Sequence, residues 1–164
     1  MPSFEREYEP IFLALNHVGG DRLRRMREVA DTLWRFLKDH HVSWVGFYTK
    51  VEDADEMVLG PSRDKPACSP IGLHGACGQS LLKKRPLIVN DVRNLGMNYV
   101  ACDPRDLAEL VIPLFDEQGR CYGVLDLDSF ERSAFGEHDM VQLRRLMEST
   151  GISWPAPHLP ALVY

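Results

Sequence analysis

Residues 107–129, "LAELVIPLFDEQGRCYGVLDLDS", decide the fold of this chain. Two apolar runs flank the turn signal "DEQG", which is the pattern of a β-hairpin. Side chains alternate between the two faces of a strand, so Leu125 and Leu127 are predicted to face the core. Asp126 and Asp128 are then predicted to project from the opposite face of the same strand. The hairpin therefore predicts an antiparallel sheet whose second face carries polar groups.

The segments around the hairpin add strands and helices. Residues 42–50, "VSWVGFYTK", and residues 56–60, "EMVLG", have the β-branched and aromatic content of strands. Residues 21–38 and 136–149 repeat apolar side chains at helical spacing, and the stripe of the first helix includes Leu23. Gly136 and Asp139 suit the N-cap and N3 positions of the second helix. This mixture of elements predicts the α+β class, with a central antiparallel sheet and helices packed mainly on one face.

Length and charge exclude several classes of protein. The 164 residues predict one domain over residues 1–152, including N-terminal helices, followed by a Pro-rich tail at residues 153–164. The net charge is −5 with both signs interspersed, so we expect no nucleic-acid partner. No segment reads as a signal peptide or a membrane span, so we expect no membrane association and a cytoplasmic location. Thiols there are normally reduced, and the four cysteines are expected to be free, catalytic or metal-binding.

Two cysteines lie in one loop, "PACSPIGLHGACG" at residues 66–78. Zinc ligands that form a pair usually lie two to four residues apart, whereas eight residues separate Cys68 from Cys77. His74 adds one possible ligand, but a fourth would have to come from elsewhere, so we expect no metal. The reducing compartment disfavours a permanent bridge. Redox chemistry is the remaining interpretation of these two thiols, although the loop sequence does not indicate which group they would react with.

The other two cysteines differ in setting. Cys102 lies in "VACDPRD", where Arg105 favours the thiolate form and Asp103 opposes it. A loop cysteine without a role is an equally good interpretation of this segment. Cys121 follows the hairpin turn in a strand and is expected to be a packing residue.

Acidic and aromatic side chains form two further patterns. Asp126 and Asp128 share a strand face, where mutual repulsion favours a proton on one of them, and Glu109 joins them if the two hairpin strands pair. Such a group can act as a general acid or bind an ammonium group; the alternative is a solvated polar face. Trp44 and Tyr48 flank Gly46 on one face, which favours ordinary core packing; the alternative is a shallow apolar slot that holds a methyl group or a cation.

Together these motifs resemble one family, the free methionine-(R)-sulfoxide reductases, which are built on a single GAF domain. The matching segments follow the order of that family along the chain and cover roughly residues 42–145. They are "WVGFY" (44–48), "VLGP" (58–61), "KPAC" (65–68), "GACG" (75–78), "VACD" (100–103), "ELVIPL" (109–114) and "GVLDLDS" (123–129).

The resemblance implies a cysteine-based reduction of free methionine-(R)-sulfoxide. Cys102 matches the nucleophile that attacks the sulfoxide sulfur and becomes a sulfenic acid as methionine is released. Cys68 matches the resolving cysteine, which then condenses with Cys102 to a disulfide, and Cys77 is an auxiliary resolving cysteine. Thioredoxin or a similar dithiol would reopen the bridge, with no bound cofactor.

The resemblance also implies a substrate site and an assembly. The substrate's amino group and sulfoxide oxygen would contact an acidic cluster, and its S-methyl end would contact two aromatic rings. These residues are Glu109, Asp126, Asp128, Trp44 and Tyr48. We expect a homodimer, because GAF domains often pair through terminal helices. The alternative is a GAF module without catalysis, which binds a small ligand or senses redox state.

Overall fold

A computed structural model describes residues 4–99 and 102–164 of the chain. Its centre is a seven-stranded sheet with the strand order β3-β2-β1-β6-β5-β4-β7. The strands are β1 Trp44–Lys50, β2 Glu56–Arg63, β3 Ile71–Gly72, β4 Leu87–Val89, β5 Ala108–Phe115, β6 Cys121–Ser129 and β7 Leu162–Val163. Neighbouring strands are antiparallel except β4 and β7, which are parallel. The predicted α+β class with an antiparallel centre is therefore confirmed, with one parallel strand added at an edge.

The helices lie mainly on one face of the sheet, as predicted. They are α1 Glu9–Ala14, α2 Arg22–Leu37, α3 Ala76–Lys83 and α4 Glu137–Ser149, and a 3-10 helix covers Val92–Asn98. Helices α1, α2 and α4 share one apolar core with the sheet, whereas α3 packs against the opposite face. Asp21 caps α2 by accepting a hydrogen bond from the Arg24 amide at 2.9 Å. In the part of the chain that the structure describes, no helix is long and apolar enough to cross a membrane.

The alternation predicted for β6 is confirmed. Leu125 and Leu127 are fully buried in the core beneath α2 and α4. Val45 and Phe47 of β1 join them there, while Trp44 faces the side covered by α3. The sheet thus has an apolar face with three helices and a second face, with polar groups of β5 and β6, that is covered by α3 and the 3-10 helix.

The N-terminal segment is attached to α4 by one buried carboxylate. Asp139 accepts hydrogen bonds from Arg6 Nη1 at 3.0 Å, from Tyr8 Oη at 2.6 Å and from the Gly136 amide at 3.0 Å. The last of these bonds caps α4 in the way that its sequence predicts. Because breaking a buried ion pair leaves an uncompensated charge, this cluster holds the first described residues against the helix.

The Pro-rich tail adds a strand at the edge of the sheet. Its last residues form β7, where the Leu162 amide donates to the Pro86 carbonyl at 2.9 Å. Tyr164 Oη also donates to Gln79 Oε1 of α3 at 3.2 Å. The prediction that Leu23 belongs to the buried stripe of α2 is wrong. Leu23 is 52% exposed, because its position lies beside the stripe.

Gly78 of α3 provides a test of this packing. A Cβ at Gly78 would overlap the backbone of Leu73, so Gly78→Ala should lower the free energy of unfolding by about 1–3 kcal/mol. Helix propensity by itself predicts the opposite sign, because Ala is favoured over Gly in a helix. Gly19→Ala is the matched control: nothing lies within 4 Å of its added Cβ, and we expect a change below about 0.5 kcal/mol. Urea denaturation measures both, and equal stabilities would contradict the packing.

Candidate active site

Three neighbouring strands form the floor of a pocket. Trp44 of β1 lies opposite Asp128 of β6, which in turn lies opposite Glu109 of β5. On the same face of the sheet, the next pair of β1 and β6 is Gly46 and Asp126. The two hairpin strands, β5 and β6, therefore pair, as was required for Glu109 to join Asp126 and Asp128. The pairing brings the three acidic side chains together on one face.

A small cavity opens above this floor, between α3 and the loops that precede β3 and β5. Its volume is about 90 Å³, well below the ~300 Å³ at which sites for drug-sized ligands begin, so it suits a ligand smaller than a nucleotide. All the predicted site residues except Cys68 line it. The polar and aromatic lining residues are Trp44, Tyr48, Lys65, Cys77, Tyr99, Cys102, Asp103, Asp106, Glu109, Asp126 and Asp128.

The acidic cluster holds protons more tightly than ordinary carboxyl groups do. Burial, followed by repulsion from Asp128 and Glu109, raises the pKa of Asp126 well above its usual value. Burial and the charge of Glu109 raise the pKa of Asp128 in the same direction. Asp126 is only 5% exposed, and its Oδ1 has no hydrogen-bond partner among the described residues. The cluster can therefore hold a proton at neutral pH and donate it, and Asp126 carries a buried oxygen with unused hydrogen-bonding capacity.

Cys77 differs from the sequence interpretation, which assigned it to a loop. It lies in the first turn of α3, is buried, and points its Sγ towards Glu109 Oε1 at 3.9 Å. Burial and the nearby charges of Asp126 and Glu109 raise the pKa of this thiol well above its usual value. The same three side chains place their ligand atoms within 4.8 Å of one another. A cation that bound there would first have to displace protons that burial holds in place.

A disulfide joins Cys68 to Cys102, with their Cα atoms 5.5 Å apart. It connects the loop between β2 and β3 to the loop that precedes β5, and Cys102 is exposed at the pocket mouth. Cys77 and Cys121 are free thiols. Burial raises the pKa of Cys121 to about 11, as expected for a packing residue. Residues 100 and 101 of the "VACD" motif lie outside the described residues.

The two aromatic residues are buried in the apolar cluster beneath α3, as the core-packing interpretation predicts, and they form a wall of the cavity rather than a slot. The ring of Trp44 lies over Gly46 and fills the space where a Cβ would stand, so no slot opens there. The ring centroids of Trp44 and Tyr48 are 6.1 Å apart. Trp44 Nε1 donates to the Lys65 carbonyl at 3.0 Å, and Tyr48 Oη donates to the Cys68 carbonyl at 2.8 Å. The aromatic pair thus binds the loop that carries Cys68.

Four of the polar and aromatic lining residues, Lys65, Tyr99, Asp103 and Asp106, were not predicted as part of the site. Lys65 forms an ion pair with Asp103. Both residues belong to the motifs that contain the cysteines, "KPAC" and "VACD". Their closeness to Cys68 and Cys102 in sequence could have identified them as site residues. Asp106 accepts from Ser43 Oγ at 2.9 Å, and burial raises the pKa of Tyr99 to about 12. Asp106 and Tyr99 lie in irregular segments without hydrophobic periodicity, so no sequence pattern predicted them as site residues.

Comparisons with known proteins agree with this geometry. The sequence profile of the GAF domain family matches residues 24–154. The chain is 35% identical over 133 residues to Protein ZMO0507 of Zymomonas mobilis, covering 80% of each chain. It is 34% identical over 107 residues to free methionine-R-sulfoxide reductase of Saccharomyces cerevisiae, covering 64% of this chain and 59% of that one. The crystal structure of free methionine-R-sulfoxide reductase from Neisseria meningitidis in complex with its substrate superposes with a TM-score of 0.78, at 30% identity over 92% of each chain.

The raised pKa of Asp126 predicts how stability depends on pH. A carboxyl with a higher pKa in the folded protein binds its proton more tightly there, so the free energy of unfolding falls as pH rises from about 4 towards the raised pKa. Asp126→Asn cannot titrate and should reduce that slope by up to ~1.4 kcal/mol per pH unit. Urea denaturation at a series of pH values measures it.

Asp116, at the turn between β5 and β6, is the matched control. Burial opposes the shift, but hydrogen bonds from Arg120 and Gln118 lower the pKa of its carboxyl. Its contribution to stability is present at neutral pH and is lost as pH falls, so Asp116→Asn should flatten only the acidic limb. Identical pH profiles for the wild type and Asp126→Asn would contradict the assignment of Asp126.

Proposed function

Because the chain belongs to the GAF domain family and carries a disulfide at the mouth of a small acidic pocket, we propose that it reduces free L-methionine-(R)-sulfoxide to methionine. The reaction proceeds through a cysteine sulfenic acid and a disulfide. The observation that carries the proposal is the Cys68–Cys102 bridge, the oxidised product expected of such a cycle. Similarity to the yeast and Neisseria reductases supports it.

Cys102 is the nucleophile in this proposal. It lines the cavity and is exposed, so its thiolate can reach a sulfoxide sulfur held above β6. A protonated carboxyl of the acidic cluster donates a proton to the sulfoxide oxygen as the S–O bond breaks. The net step turns the Cys102 thiol and the sulfoxide into a Cys102 sulfenic acid and methionine, so the sulfur of the substrate is reduced by two electrons and that of the cysteine is oxidised.

Cys68 resolves the sulfenic acid. Its thiolate attacks the Cys102 sulfur, the S–O bond breaks, and the oxygen leaves as water, which produces the observed bridge. Cys77 is the auxiliary thiol. Its buried position and raised pKa disfavour the thiolate that a resolving step needs, which supports Cys68 for the main role.

The chemistry of the pocket suits a small zwitterion. Glu109, Asp126 and Asp128 all line the cavity, so they offer acidic groups to an ammonium group. Trp44 and Tyr48 offer ring surface to the S-methyl end. A cavity of about 90 Å³ favours a free amino acid over a nucleotide or a protein segment.

An external dithiol completes the cycle. The exposed Cys102 end of the bridge is accessible to thioredoxin or a similar reductant, which would reopen it by thiol–disulfide exchange. We propose thioredoxin as this partner and a cytoplasmic, reducing location for the cycle. The homodimer expected from the resemblance stays a prediction.

A redox-sensing module is the second candidate. An oxidant such as a peroxide would form the same bridge between Cys68 and Cys102 without any methionine sulfoxide. The two candidates differ in one product, because only the reductase releases methionine.

A thioredoxin-coupled assay with the separated R and S epimers tests the proposal. We expect NADPH consumption with the R epimer only, and none with Cys102→Ser. Cys68→Ser should release about one methionine per enzyme and then turn over at least tenfold more slowly, because the sulfenic acid is no longer resolved efficiently.

Cys121→Ser is the matched control, because Cys121 is the free cysteine outside the pocket lining, and it should retain wild-type activity. Folded, reduced protein that consumes no NADPH with either epimer would refute the reductase. If that protein still forms the Cys68–Cys102 bridge with peroxide, the sensing role takes its place.

A further inference from the structure

A second link joins the two loops that carry the disulfide. Lys65 Nζ forms an ion pair with Asp103 Oδ2. Lys65 lies three residues before Cys68, and Asp103 directly follows Cys102. The ion pair therefore connects the same two loops as the covalent bond, and neither of its partners is a sulfur atom.

The two cysteines lie in loops of different exposure. The Cys68 loop is bound to the sheet at two points, through the Lys65 carbonyl to Trp44 and through the Cys68 carbonyl to Tyr48. Cys102, by contrast, lies exposed. The side chain of Lys65 thus extends from the anchored loop to the exposed one.

We infer that Lys65 and Asp103 are positioning residues that keep Cys68 beside Cys102 after the bridge is reduced; the inference rests on the proposed function. A disulfide forms only when the Cα atoms come within about 7 Å, and these cysteines are 34 residues apart in the chain. A link that holds the loops together in advance raises the effective concentration of the Cys68 thiolate at the Cys102 sulfenic acid. Lys65 transfers no proton and makes no bond in the step.

The ion pair is sheltered enough to have this effect. The side chain of Lys65 is 29% exposed and that of Asp103 is 12% exposed, so salt screens the pair less than it screens a surface pair. Lys65 Nζ also lies 4.7 Å from the ring centroid of Phe130. These contacts limit the directions in which the Lys65 side chain can leave Asp103.

Arg105 is the control that distinguishes a positioning role of Lys65 from the effect of a positive charge near Cys102. Its Nη2 lies 2.9 Å from the same Asp103 Oδ2, and it stacks on the same Phe130 ring at 4.7 Å. Hydrogen bonds from Arg105 and then from Lys65 hold the pKa of Asp103 well below its usual value. However, Arg105 belongs to the same loop as Asp103, so it supplies a positive charge near Cys102 without connecting that loop to Cys68.

Single-turnover kinetics on the reduced protein test the inference. Reduced wild type, Lys65→Met, Lys65→Arg and Arg105→Met are mixed with excess methionine-(R)-sulfoxide and quenched at intervals with dimedone, which traps the sulfenic acid. Released methionine reports the first step. The trapped Cys102 adduct and the Cys68–Cys102 disulfide, both measured by mass spectrometry, report the second.

We expect Lys65→Met to release methionine within about twofold of the wild-type rate and to form the disulfide about tenfold more slowly, with accumulation of the Cys102 adduct. Arg105→Met should form the disulfide from the sulfenic acid at the wild-type rate, although loss of a positive charge near Cys102 slows methionine release. Lys65→Arg should restore most of the disulfide rate, because a guanidinium can bridge to Asp103 as well. Thermal unfolding of each variant verifies that it is folded.

Three results would overturn the inference. One is disulfide formation by Lys65→Met at the wild-type rate. Another is equal slowing of disulfide formation in Lys65→Met and Arg105→Met, which would mean that positive charge near Cys102, rather than a link between the two loops, sets the rate. The third is a raised KM for the sulfoxide in Lys65→Met with an unchanged disulfide rate, which would make Lys65 a substrate contact. Absence of methionine release by the wild type would instead refute the proposed function.

Discussion

The pairing of β6 with β1 and β5 is the constraint on which the rest of the structure depends. One register places Leu125 and Leu127 beneath the helices and Asp126 and Asp128 under α3. A slip of one residue would exchange the two faces, because side chains alternate with a period of two. The core and the pocket therefore form together, and the apolar face that stabilises the sheet also orients the acidic face.

The acidic face is favourable for chemistry and unfavourable for stability. Bringing Glu109, Asp126 and Asp128 together in partial burial raises their pKa values, so a charged cluster is disfavoured and protons are retained. An unpartnered oxygen on Asp126 adds to that cost. A pocket arranged in this way has a ready donor for an oxygen that must leave, and an acceptor for an incoming ammonium group.

The disulfide lies above this floor and joins two loops that are far apart in the chain. Trp44 and Tyr48 line the cavity, and their polar atoms also bind the loop of Cys68. In the proposed reaction, the same two side chains would therefore contact the substrate and position the resolving cysteine. The ion pair between Lys65 and Asp103 joins the loop of Cys68 to that of Cys102.

The sequence by itself determined the elements and the chemical character of the site. Alternation in β6, helical spacing in α2 and the capping residues of α4 are local patterns, and the structure agrees with them because backbone geometry sets their periods. The motif residues also pointed to the right family before any contact was known.

Only the tertiary structure decided which loop residues meet. The pairing of Cys68 with Cys102 was implied by the resemblance and not by spacing, since no local period relates residues in two separate loops. The burial of Cys77 at the start of α3, the ring of Trp44 over Gly46 and the pairing of β7 with β4 likewise had no local signal. Each depends on where the chain returns after many residues, and that is set by the packing of the whole sheet rather than by neighbouring side chains.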